Sequence, residues 1–231
     1  MLQLKTLSDI KGADIGWLKA KHHFAIGPYG NPSHKPIGNL IVFNDDEIAP
    51  HTGFSPHPHS NLEIVTYVRE GTVTHQDDQG HRGKTRAGDV QVMSAGTGIY
   101  HSEKNDEDVP LRVFQMWLNP ATHGGTPRWG SKPFPRADRA GTFIVLASGR
   151  NADGALQVRS DAEVYGAFLQ AGTTAAFTFP QGDAGYLVPA TGEIEVNGLR
   201  VRAREGLVIQ DEKKVSVKAL TASELVLVVT G

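Results

Sequence analysis

Two short spacings in the amino-acid sequence bring metal-binding side chains together in pairs: His57-Pro58-His59 and His101-Ser102-Glu103. A residue that precedes proline is pushed out of the α region, so Pro58 holds His57 in an extended conformation. In a strand, residues i and i+2 point to the same face about 6–7 Å apart, whereas in a helix they diverge. Both imidazoles therefore reach one ion only if the segment is a strand. His101 and Glu103 repeat the spacing. Three neutral imidazole nitrogens and one carboxylate oxygen suit a borderline divalent ion (iron, manganese, nickel, cobalt, copper or zinc) rather than calcium or magnesium, which prefer oxygen throughout. No thiolate competes, because the chain has no cysteine. A lone His-x-His is most often a surface feature; two ligand pairs joined by a meander of hairpins point to one site.

The elements that must position these pairs are short strands. Leu62 to Val68 reads as a strand continuing the His-Pro-His segment, and Glu63 shares the parity of His57 and His59. This predicts a carboxylate on the metal's side that orients a ligand imidazole without binding the ion. Thr72 to His75 alternates as a further strand, with His75 at its end and His81 in the following loop. Gly96-Thr97-Gly98 is a corner at which glycine tolerates positive φ, and it returns His101 toward the first pair. Leu111 to Leu118 is apolar on both faces and reads as a buried strand, with Trp117 in the core. His22 and His23 are adjacent and face opposite ways in a strand, and His34 lies among turn residues; all three are assigned to structure or solvent.

The 231 residues include 26 glycines and 13 prolines between short Val, Leu, Ile and Phe runs, which predicts strands and turns in two β domains. Residues 119–139, rich in Pro, Gly and basic side chains, read as a connecting segment anchored by Trp129 and Phe134. Lys plus Arg (23) nearly balance Asp plus Glu (25), so nothing in the overall charge favours direct nucleic-acid binding. No apolar run approaches membrane-spanning length and no secretion signal opens the chain, which predicts a cytoplasmic protein with no membrane contact. The stretch Gly71-Thr-Val-Thr with Arg86-Ala-Gly-Asp-Val-Gln-Val has an echo in Gly192-Glu-Ile-Glu-Val with Arg204-Glu-Gly-Leu-Val-Ile. The chain reads as a duplication. The second copy carries Lys214-Val-Ser-Val-Lys218 where the first carries His101-Ser-Glu103, and no histidine follows His123, so only the first copy should bind metal.

These residues resemble the cupins and, within them, the pirins. Gly53, His57, His59, Glu63 and Gly71 follow the first cupin motif; Gly98, His101 and Asn105 follow the end of the second. The more specific resemblance to pirins lies in Phe43-Asn44-Asp45-Asp46, in Gly53-Phe54-Ser55-Pro56-His57-Pro58-His59, in Met93-Ser94-Ala95-Gly96-Thr97-Gly98 and in His101-Ser102-Glu103-Lys104-Asn105. Two spacings depart from the common cupin pattern, between Glu63 and Gly71 and between Gly88 and Gly98. The resemblance implies an all-β bicupin of two β-barrel (double-stranded β-helix, jelly-roll) domains packed face to face. An N-terminal domain of residues 1–125 would carry the metal, followed by a linker (126–140) and a C-terminal domain (141–231) lacking ligands. It implies His57, His59, His101 and Glu103 as ligands, iron as the leading metal, and the first-motif Glu63 outside the ligand set. Bacterial pirin-like quercetin 2,3-dioxygenases imply a small aromatic substrate and O2, with Glu103 also the catalytic base. Eukaryotic pirins, described as iron-responsive transcriptional cofactors, imply the alternative of a redox-sensing regulator acting through a protein partner. Phe24, Phe43, Met93 and Trp117 are candidates for the pocket wall.

Overall fold

Short apolar-polar alternations closed by glycine turns give a chain built almost wholly of β-strands; the computed structural model describes residues 1–231, and its helical content is a single 3-10 turn at Arg136–Arg139. None of it is a helix long and apolar enough to cross a membrane. The strands form four sheets. In the first half, a seven-stranded sheet runs in the order Arg128–Lys132, Val90–Ser94, Glu63–Glu70, Leu111–Leu118, Leu40–Ile48, Leu18–His22, Gly12–Asp14. It packs on a four-stranded sheet in the order Thr52–His59, Ile99–Asn105, Thr72–Asp77, Arg82–Arg86. The second half repeats the plan. Its four-stranded sheet runs Thr174–Thr178, Lys214–Ala219, Glu193–Val196, Leu199–Arg202, the same permutation of chain order, so the duplication read from the sequence is a duplication of structure.

The two seven-stranded sheets lie back to back. A cluster of 23 buried residues joins them, with Phe43, Tyr67 and Phe114 from one side meeting Tyr186, Val188 and Val228 from the other. This accounts for the apolar character of Leu111–Leu118 on both faces: Phe114, Met116 and Leu118 serve the boundary between the halves, while Leu111 and Val113 point into the first sandwich. Phe24 and Phe43 also belong to that boundary and line no metal pocket.

Two segments sit elsewhere than the sequence suggested. Within the stretch 126–140 read as a linker, Arg128–Lys132 is a strand paired with Val90–Ser94, and Phe134 is buried between the halves. At the other end, Leu2–Lys5, placed by the sequence in the first domain, pairs with Gly206–Ile209 at the edge of the second domain's large sheet. Covering an edge strand removes a row of unpaired backbone groups, a gain that sequence pattern does not display.

The interiors of the two halves differ in kind. The second sandwich holds one continuous apolar core of 17 buried residues. The first holds two clusters of five, one around Ile48, Val68 and Val113 and one around Ile64, Met93 and Ile99. Along Glu63–Glu70 the inward residues run Val68, Thr66, Ile64, and along Leu111–Leu118 they run Val113, Gln115, Trp117. A polar belt thus crosses the middle of the first sandwich. Buried Gln91, His75, His101 and Glu103 complete it.

Candidate metal centre

Thr52–His59 pairs antiparallel with Ile99–Asn105, His101 opposite His57, and Glu103 opposite Phe54. The register slips by one residue between them, at Ser55-Pro56, where proline has no N–H to give to the ladder. The bulge turns both Phe54 and His57 toward the interior. Closer to the turn, Gly53 sits at φ +150°, and a Cβ there would lie 2.4 Å from the Glu103 carbonyl oxygen, so the two strands approach closely beside the site.

The rings of His57, His59 and His101 converge: His57 to His101 is 4.5 Å between centroids, His57 to His59 4.9 Å and His59 to His101 5.1 Å. One ligand atom from each lies within 4.8 Å of the others. His57 Nδ1 is 2.8 Å from the Ser55 carbonyl, to which it donates, leaving Nε2 as the ligating nitrogen. Both nitrogens of His101 are buried without a hydrogen-bond partner. Buried polar atoms are rarely left so, and a metal ion in this place would satisfy one of them. Burial, reinforced by the neighbouring imidazoles, pulls His59 down to about 4 and His101 to about 3, so both stay neutral and available as ligands.

Glu103 is buried, and both its oxygens are held by amides. Gln91 Nε2 donates to Oε1 at 2.6 Å and Gln115 Nε2 to Oε2 at 2.7 Å. The glutamines are themselves fixed: the Thr85 hydroxyl donates to Gln91 Oε1 at 2.9 Å, and the Trp117 indole N–H to Gln115 Oε1 at 3.0 Å. Burial raises the Glu103 pKa, opposed chiefly by the Gln115 hydrogen bond. Trp117 is half-buried and meets His59 edge-on at 5.2 Å, so it belongs to the wall of the site as well as to the core.

Two sequence expectations are modified. Glu63 does not face the ligands: Asn61 takes a left-handed φ of 49°, breaking the parity counted from His59, and the next strand belongs to the other sheet. The Glu63 carboxylate instead accepts from Ser94 Oγ at 2.6 Å and from the Arg159 backbone N–H at 2.9 Å, tying the two halves together. Ligand atoms of His75, His101 and Glu103 form a second group within 4.8 Å, which shares His101 with the group of His57, His59 and His101. His75 is no strand-end residue but fully buried beside the site. The alternation Val73, His75, Asp77 carried that signal, because Val73 faces the core. By contrast, buried His23 meets Tyr186 at 2.8 Å and His22 meets Asn44 at 2.9 Å, structural roles as the sequence indicated.

Two stacked β-sandwiches with a histidine cluster in one of them define a bicupin. Residues 4–118 match the family described as Pirin, and residues 145–228 the quercetinase C-terminal cupin domain. The chain belongs to the pirin family. It is 55% identical to a pirin-like protein of Caulobacter vibrioides over 99% of both chains, and 36% identical to the quercetin 2,3-dioxygenase of Escherichia coli, covering 98% of this chain and 97% of that one. Among solved structures, the bacterial pirin YhhW of Escherichia coli superposes with a TM-score of 0.94 at 34% identity over 100% of this chain and 98% of that one. The same protein in complex with nickel(II) gives 0.92, with 100% and 99% covered.

Proposed function

We propose that this chain is a metal-dependent dioxygenase of pirin type, cleaving a flavonol such as quercetin with O2 to a depside and carbon monoxide. His57, His59, His101 and Glu103 hold the metal, and Glu103 also acts as the base. The observation that carries this reading is the convergence of three imidazoles, one with both nitrogens unpartnered, beside a buried carboxylate gripped by two glutamine amides. The relative named as a quercetin 2,3-dioxygenase and the nickel complex of YhhW support it. A divalent transition metal bound there, iron first and nickel, manganese, cobalt, copper or zinc as alternatives, would supply Lewis acidity toward a phenolic oxygen.

The chain's own residues do the rest. His57 and His59 are half-exposed and open the centre to a ligand from solvent, while His101 and Glu103 close its inner side. Trp117 offers a flat apolar wall next to His59. A buried carboxylate with a raised pKa is a stronger proton acceptor than one in water, which suits Glu103 to taking the proton of a flavonol 3-hydroxyl. Gln91 and Gln115 keep its oxygens in place while it does so.

The test is oxygen uptake and carbon monoxide release with quercetin, using protein reconstituted with iron, nickel or manganese. Turnover should follow metal occupancy and vanish in His101→Ala. Glu103→Gln should lose most turnover, and undiminished turnover there would remove Glu103 from its role as base. No uptake with any metal at full occupancy would sink the dioxygenase reading.

A further inference from the structure

His75 is the buried histidine beside the site that the ligand set above does not use. Its Nε2 lies 2.9 Å from Asp77 Oδ2. Asp77 is itself fixed, accepting backbone N–H groups from His81 at 2.9 Å and Gln79 at 3.0 Å, and Trp129 stacks flat on the His75 ring at 4.8 Å and 6°. With its Nε2–H donated to a carboxylate, a neutral imidazole presents Nδ1 as a lone pair. That Nδ1 is buried and has no hydrogen-bond partner. A carboxylate behind one nitrogen and an unused lone pair on the other is the arrangement that orients metal-ligating histidines.

The lone pair has company. Ligand atoms of His75, His101 and Glu103 lie within 4.8 Å of one another, and all three side chains are buried. His101 stands between the two groups, its ring 4.5 Å from His57 and 5.4 Å from His75, with neither nitrogen engaged. We propose that the centre offers a divalent transition metal a second, inner position held by His75, His101 and Glu103, an alternative to the outer position proposed above, in which His57 and His59 join His101 and Glu103. The inference rests on the reading of this centre as a metal site. An ion at the inner position lies among buried side chains, away from the half-exposed outer histidines that a substrate would meet. It is the protected form of the centre; the outer position is the exposed one.

Cobalt(II) binding to the full chain tests this, read as metal retained per chain after gel filtration. The His57→Ala/His59→Ala double variant, altered only on half-exposed positions, should still retain close to one cobalt per chain. Adding His75→Phe, which keeps a flat ring against Trp129 but has no nitrogen, should bring retention near zero. Loss of all cobalt from the double variant while its melting curve stays that of the unmodified protein overturns the inner position, as does undiminished retention in the triple variant. Should the double variant fail to fold, release of cobalt to a chelator from the otherwise unmodified protein decides. Two phases are expected, the slow one absent in His75→Phe, and a single phase of equal rate in both proteins overturns the proposal. Absence of cobalt binding by the unmodified protein would be a different failure, that of the metal reading itself.

Discussion

Gln115 donates its side-chain N–H to Glu103 Oε2 at 2.7 Å while its own Oε1 accepts the indole N–H of Trp117 at 3.0 Å, so the wall of the site and its carboxylate are joined by one amide. Because Trp117 fixes which end of the amide faces Glu103, the carboxylate always meets a donor. Gln115→Leu removes that donor from a buried charged group. A cost of about 1.5–3 kcal/mol is expected by urea denaturation, with a fall of about 10–100-fold in metal affinity. Trp117→Phe keeps the ring against His59 and should cost less than Gln115→Leu in both measurements; equal losses would show that the chain through Gln115 is not what orients Glu103.

Gly53 is a second handle on the same geometry. A side chain there meets the Glu103 carbonyl at 2.4 Å and demands a φ of +150°. Gly53→Ala is expected to push Thr52–His59 away from Ile99–Asn105, separating His57 from His101, with a destabilisation of about 1–3 kcal/mol. Isothermal titration with nickel should show weakened binding; affinity equal to that of the unmodified protein would mean the strands absorb the methyl without moving the ligands.

Asp46 predicts a pH dependence of stability whose sign follows from its burial. It is buried on Leu40–Ile48, and burial, with help from the charges of Asp45 and Glu103 and against that of Arg69, pushes it from 3.8 up to about 8. Between those values the folded state holds a proton that the unfolded chain has released. Its contribution to stability is therefore full below 3.8 and is lost as pH rises toward about 8, by up to about 1.4 kcal/mol per pH unit. Asp46→Asn should flatten the fall in denaturation midpoint between pH 5 and pH 7.5, and an unchanged slope would show that Asp46 ionises in the fold as it does in water.

Arg139 holds the halves together from inside. It is 1% exposed, donates to the Tyr67 hydroxyl at 2.9 Å and the Phe134 carbonyl at 3.0 Å, and pairs with Glu224 at 3.0 Å. Arg139→Met leaves a buried carboxylate with the more exposed Arg136 as its one cationic partner, beside the Tyr67 hydroxyl that donates to it at 2.5 Å. A loss of about 3–5 kcal/mol is expected, read from the denaturation midpoint, and a loss below about 1 kcal/mol would show that Arg136 compensates.

The convergence of His57, His59 and His101 was legible in the sequence because its geometry is local: Pro58 forces a strand, and i,i+2 spacing in a strand puts two side chains on one face. The duplication was legible in the repeated spacing of strands and turns. What failed was parity carried across a corner. Glu63 was counted on the face of His57, but the left-handed Asn61 and a change of sheet turned it toward Arg159. For His75, the alternation with Val73 and Asp77 on its own strand signals an inward side chain, but the groups it meets there are set by the fold. Asp77 lies on the same strand, whereas Trp129 and Glu103 come from two others.

By itself the sequence determined the strand-rich class, the duplication and the histidines that could share an ion, since each depends on neighbours a few residues apart. The tertiary structure decided the rest. It placed Arg128–Lys132 and Leu2–Lys5 on the edges of sheets whose other strands lie far along the chain. It also divided the first interior with a belt of polar groups and set Gln91 and Gln115 on the two oxygens of Glu103. Those contacts are non-local, fixed by which strands pair and in what register, and a single chain's pattern of residues carries no record of its partners across a sheet.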